Sequence, residues 1–118
     1  TQYLRVAATP FAVTALAEAA AVASIEHEEA VMDGVRHIVA ERERVVARLH
    51  ELGYNIPQTY ANFVWLPLGE HTEAFNKLAA SHALSVRAFD GEGVRVSIGE
   101  DEANDRFISI CEQFPHRV

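Results

Sequence analysis

The chain predicts an α+β fold, a two-layer sandwich in which long N-terminal helices precede a small, mostly antiparallel three-stranded sheet covered by helices on one face. Three observations predict it. Apolar residues recur at helical spacing through the first half of the chain. Two short runs of alternating apolar residues, 84–88 and 94–98, flank the turn signal Asp90-Gly91-Glu92-Gly93. Amphipathic helical patterns precede and follow that hairpin. At 118 residues, 49% of them apolar, the chain has room for one modest core and is not of disordered composition.

The elements follow in order. Pro10 stands near a helix start, and residues 13–24 are rich in alanine with few polar positions on any side. A helix apolar nearly all round is normally buried, and this one carries more apolar surface than a small monomer covers easily, which predicts a homodimer. From Glu28 to Leu52, Val31, Val35, Ile38, Val45, Leu49 and Leu52 keep helical spacing. Glu26, Glu28 and Glu29 gather at the start and Arg42, Arg44 and Arg48 toward the end, each sign where the helix dipole favours it. Gly34 weakens the helix slightly, and Gly53 supplies a C-terminal stop. Such a helix is about 37 Å long at about 1.5 Å per residue, against a radius of gyration of about 13 Å for a domain of this size. It is therefore expected to link two domains.

In the second half, residues 62–66 form a strand ended by Pro67 and Gly69, with Phe63 and Trp65 expected in the core. A helix over 72–82 turns Phe75, Leu78 and Ala79 inward and Lys77 outward. After the hairpin, a helix over 101–114 buries Ala103, Phe107, Ile110, Cys111 and Phe114. Cys111, the lone cysteine, excludes an internal disulfide and is expected as a buried, reduced thiol.

The hairpin holds the most informative pattern. Side chains alternate faces along a strand, so Arg87 and Arg95 both point away from the apolar side. Placing Arg87 opposite Arg95 keeps the apolar faces together and leaves an odd-numbered loop, Asp90 to Glu92 at its tightest. Like charges opposed across a ladder destabilise it. The pair makes sense if an anion sits between or above them, because guanidinium binds carboxylate or phosphate in bidentate fashion.

Composition narrows the alternatives. A net charge of −7 argues against nucleic acid as a partner. No apolar run approaches membrane-spanning length and no leader pattern is visible, so no membrane association and a cytoplasmic location are expected. The six histidines (His27, His37, His50, His71, His82, His116) are scattered without metal-ligand spacing, and no metal site is expected. Gly91-Glu92-Gly93 precedes a strand, so it is not a dinucleotide loop.

The string Gly93-Val94-Arg95-Val96-Ser97-Ile98-Gly99, followed by Glu100-Asp101-Glu102-Ala103-Asn104, resembles the C-terminal signature of fold-type I pyridoxal-phosphate aminotransferases, in the branch of histidinol-phosphate and aromatic amino acid aminotransferases. Thr9-Pro10-Phe11-Ala12-Val13 with Leu16-Ala17-Glu18-Ala19-Ala20-Ala21, and Thr59-Tyr60-Ala61-Asn62-Phe63-Val64-Trp65, resemble two further stretches of that family in the expected order. The departures are Thr59 for serine, Ser97 for threonine, and Glu100-Asp101 where many members carry Thr-Pro. The last weakens the expected helix cap and leaves the arginine assignment intact. The resemblance implies that Arg95 grips the substrate carboxylate, that Arg87 assists or holds a distal anionic group such as a phosphate, and that Asn62 lies near an inter-domain boundary. It also implies a large cofactor domain, here missing, with residues 1–25 the edge of that domain and residues 26–118 the small domain including the linking helix 28–52.

Transamination through pyridoxal phosphate needs a lysine to form the Schiff base. Lys77, the sole lysine, stands on the polar side of an amphipathic helix, and nothing like the family's serine-rich lysine motif is present. No catalytic or cofactor-binding residue is therefore expected in this chain, which alone should be inactive and should not bind the cofactor tightly. The implied parent moves an amino group between an aromatic amino acid, or histidinol phosphate, and a 2-oxo acid. The alternative is a stand-alone, non-catalytic module that binds such ligands or dimerises.

Overall fold

The computed structural model describes residues 12–115. Pro10, the Thr9 to Phe11 part of the motif above and His116 lie outside the described residues. The chain divides into two compact units, Thr1–Gly34 and Val35–Val118.

In the first unit, helix α1 spans Ala15–Glu26. Thr14 caps it, its Oγ1 accepting the Ala17 N–H at 3.1 Å. None of its residues is buried, and Leu16 and Ile25 are 81% and 77% exposed. The burial expected of an alanine-rich, apolar helix is therefore not met among the described residues. Helix α2 spans Glu28–Glu51, opening on Glu28 and Glu29 as the dipole favours.

In the second unit, Val45 and Leu49 of α2 are fully buried, with Ile38, Val46 and Leu52 packed at the margin of the core. The helix stops as expected at Gly53, whose φ of 89° suits glycine. Tyr54 N–H returns to Leu49 O and Gly53 N–H to His50 O, both at 3.0 Å, which satisfies carbonyls the helix end would leave bare.

Strands β1 (Phe63–Leu66), β2 (Arg87–Phe89) and β3 (Gly93–Ser97) form an antiparallel sheet in the order β1-β3-β2. A short 3-10 turn, Gly69–His71, leads into helix α3 (Thr72–Ser81), and helix α4 spans Asp101–Gln113. One face of the sheet, carrying Val64, Leu66, Val94 and Val96, is buried with Phe75 and Ala79 of α3, Phe107, Ile110 and Cys111 of α4, and the α2 residues above. This is the expected α+β sandwich, with helices on one face. The aromatic core is tied together by Phe75, which stands edge-on to Phe107 and Phe114 at centroid distances of 6.4 and 5.1 Å.

Two expectations change. Phe63 and Trp65 are not core residues. Val64 and Leu66 fill the buried face, and the two rings lie half-buried on the other. Alternation told the two faces apart but not which one was inside, because all four residues are apolar. In α4, Asn104 is buried at 2% exposure beside the predicted stripe, Ile108 is buried too, and Ala103 is only half-buried. Glu100 caps α4 with no side-chain bond; its carbonyl accepts the Ala103 and Asn104 N–H groups.

Ion pairs join α2 to α4. Arg44 bonds Glu41 and Asp105, each at 2.8 Å, and Arg48 bonds Glu51 at 2.8 Å and Glu112 at 2.6 Å. Nε2 of His37 lies 3.1 Å from Asp101 Oδ1. No helix among the described residues is long and apolar enough to cross a membrane.

Candidate functional site

The face of the sheet away from the helices carries the two arginines. Arg87 stands directly opposite Arg95, and Phe89 opposite Gly93, so the loop between them is Asp90 to Glu92. Gly91 turns it with a φ of 70°, and Glu92 N–H closes it on Phe89 O at 3.0 Å. The register read from alternation is the one observed. On β1, Trp65 stands opposite Arg95, so a single row across the open face reads Trp65, Arg95, Arg87.

Neither arginine donates a hydrogen bond or forms an ion pair among the described residues, in contrast to Arg42, Arg44, Arg48 and Arg106. Their contacts are with rings. The Arg87 guanidinium lies over Phe89 at 5.1 Å from the ring centroid, and that of Arg95 over Phe63 at 5.2 Å. Trp65 meets Phe89 edge-on at 5.5 Å. Gly93 makes room for this, since a Cβ there would run into Leu66 O and come within 2.7 Å of Trp65 Cζ2. Two opposed cations without protein acceptors, set among three aromatic rings, can bind an anionic group attached to an apolar body.

Asn62 is exposed, and its side chain makes no hydrogen bond among the described residues. Its backbone carbonyl accepts the Ile98 N–H at 2.8 Å, just before the start of β1. Thr59 does the local work instead: its hydroxyl donates to Phe63 O at 2.8 Å and accepts the Ala61 N–H at 3.3 Å. Lys77 is exposed on α3 and paired with Glu73 at 2.7 Å, which accounts for it as a surface residue. Among the described residues no group of three or more His, Cys, Asp or Glu side chains could hold a metal ion. Cys111 is a free, buried thiol, and burial pushes its pKa up to about 12.

Sequence reasoning missed the half-buried network behind β3 that centres on Asn104. Asn104 brackets Gly99, accepting its N–H and donating to its carbonyl at 3.0 Å each, and donates again to Glu41 Oε2 at 2.9 Å. The Arg44 guanidinium, followed by the Asn104 amide, holds the Glu41 carboxyl down at about 2. The available signal was an amide four residues into a helix whose cap lacked the usual side chain. A separate groove of about 660 Å³ runs between α2 and residues 56–60, lined in part by Arg42, His50 and Tyr60, and contains neither site arginine.

The profile of the family described as "Aminotransferase class I and II" matches residues 1–110. An aromatic amino acid aminotransferase of Streptomyces avermitilis is 50% identical over 111 residues, covering 94% of this chain and 31% of the relative. One from Thermobifida fusca is 49% identical over 108 residues, covering 92% and 30%. The chain thus spans about a third of the length of these relatives. In fold it is similar to a solved structure described as an aminotransferase of Burkholderia pseudomallei K96243, with a TM-score of 0.76 at 23% identity, covering 95% of this chain and 36% of that one. The match over residues 1–110 makes this chain a member of the class I and II aminotransferases.

Proposed function

We propose that this chain is the small-domain part of a cytoplasmic, homodimeric aminotransferase that moves an amino group between an aromatic amino acid and a 2-oxo acid. Residues 1–25 are assigned to the edge of the large domain and residues 26–118, with the linking helix, to the small one. The observation that carries the reading is the opposed pair Arg87 and Arg95 on the open sheet face, without a protein acceptor among the described residues. The names of the similar proteins favour an aromatic substrate over histidinol phosphate. The exposed apolar side chains of α1 support a covered surface in the assembled dimer.

In this reading Arg95 takes the substrate carboxylate in its two-pronged guanidinium, and Arg87 adds a second positive charge beside it. Trp65, opposite Arg95 in the same row, accepts the aromatic body, and the apolar surround excludes water, which strengthens the charged hydrogen bonds. The contact with the anion favours closure of the domain over substrate. Pyridoxal phosphate supplies the electron sink for the reaction when bound. The residues of this chain do not fit a role in holding it: the sole lysine, Lys77, is exposed and engaged by Glu73. Asn62, exposed at the start of β1, is assigned to the boundary with the large domain.

The experiment is a comparison of amino donors with the intact parent and 2-oxoglutarate as acceptor. Phenylalanine is expected to exceed histidinol phosphate in kcat/KM by at least about tenfold. The reverse order would move the substrate to histidinol phosphate, with Arg87 on its phosphate. Absence of transamination with both would leave the non-catalytic binding module.

A further inference from the structure

Arginine is a long, flexible side chain, and two of them opposed on a ladder repel each other and swing apart unless something holds them. Elsewhere in this chain arginines are held by carboxylates, as Arg44 and Arg48 are. A carboxylate would occupy the same N–H donors that a substrate anion needs. An aromatic ring does not, because it attracts the cation through its π-face and accepts no in-plane N–H bond. Both arginines of the open face have such a ring, Arg95 over Phe63 and Arg87 over Phe89, at nearly the same distance. Neither ring belongs to the core: Phe63 and Phe89 are half-buried on the arginine face. The small partners opposite them, Ser97 for Phe63 and Gly93 for Phe89, leave the rings uncrowded, and Trp65 buttresses Phe89 edge-on.

We propose that Phe63 and Phe89 are positioning residues for the two arginines, each ring holding a guanidinium while leaving its hydrogen-bond donors free for the substrate anion. The inference rests on the assignment of Arg95 to the substrate carboxylate and adds the device that prepares it. A cation–π hold also resists the mutual repulsion of the pair without neutralising either charge.

The test uses the intact, cofactor-loaded parent and two probes, 3-phenylpropionate and its neutral analogue 3-phenylpropanamide. Phe63→Met keeps an apolar side chain of similar length and removes the ring, whereas Phe63→Tyr keeps the ring. Phe63→Met is expected to weaken phenylpropionate binding roughly three- to tenfold and leave the amide unchanged, with Phe63→Tyr close to wild type. Phe89→Met, on the edge strand β2, should give the same selective loss, so a folding defect at position 63 does not leave the question open. Wild-type phenylpropionate affinity in the methionine variants, or an equal loss for the amide, would overturn the proposal. Arg95→Leu is measured alongside. If it abolishes carboxylate preference while both methionine variants keep it, the positioning role fails and the carboxylate assignment survives. If Arg95→Leu itself keeps that preference, the assignment fails and this inference with it.

Discussion

Asn104 donates from Nδ2 to Glu41 Oε2 at 2.9 Å, joining the first turn of α4 to the middle of α2 across 63 positions of sequence. The same side chain grips both polar backbone groups of Gly99, two residues beyond the end of β3. The strand that presents Arg95 is thereby fastened to α2 through one buried amide. Asn104→Ala would leave the Gly99 N–H and carbonyl without their partner and would reduce Glu41 Oε2 to its bond from Arg44. Unfolding of the chain in urea is expected to show a loss of about 2–4 kcal/mol. A loss under about 0.5 kcal/mol, the range of ordinary surface substitutions, would mean that the network is dispensable.

The same network predicts an acid-labile increment of stability. Glu41 is held at about 2, from a starting value of 4.5, first by the hydrogen bond from Arg44 and then by that from Asn104. A carboxyl whose pKa is depressed by folding contributes stability that is fully present above its unfolded pKa. That contribution fades as pH falls from about 4.5 toward about 2, on the order of 2 kcal/mol in all. Glu41→Gln should flatten the stability profile across this window relative to wild type. Parallel profiles from pH 6 to pH 2 would contradict the assignment.

Ala83 carries a left-handed backbone, φ 53°, where α3 ends. Ala83 N–H bonds Ala80 O and Leu84 N–H bonds Ala79 O, the arrangement in which glycine is the usual occupant. Ala83→Gly relieves the strain of the Cβ and is expected to raise stability by about 0.5–1 kcal/mol, net of the greater freedom glycine has when unfolded. Thermal unfolding checks it, and a lowered midpoint would show that the turn is not strained.

Gly93→Ala tests the open face from the opposite direction. The added Cβ meets Leu66 O, a backbone atom that cannot give way, and the Trp65 ring. Destabilisation of about 1–3 kcal/mol is expected, together with a shift in the emission of Trp65, the sole tryptophan. Unaltered emission would mean that Trp65 does not lie over Gly93.

Much of this architecture was legible in the sequence. The hairpin register follows from a period of two on both sides of a turn that only a short, glycine-bearing loop can close. Helix α2 follows from spacing, end charges and Gly53. The positions of Phe63 and Trp65 were not legible, because a strand apolar on both faces gives no contrast between inside and outside. The pairing partners decide it: Trp65 falls opposite Arg95, and Val64 opposite Val96. Asn104 and Glu41 escaped because a polar residue in a helix looks solvent-facing until its partner, distant in sequence, is known. The apolar surface of α1 was legible as a surface in need of cover, and it stays exposed among the described residues.

Arg95 is proposed to bind the substrate carboxylate, and Arg95→Leu in the intact parent is the decisive variant. Steady-state turnover of phenylalanine is measured beside the absorption spectrum of the bound cofactor. A fall in kcat/KM of about a hundredfold or more is expected for loss of a charged hydrogen-bonding partner, with an unchanged spectrum. Turnover within about twofold of wild type, the cofactor still bound, would remove Arg95 from the site.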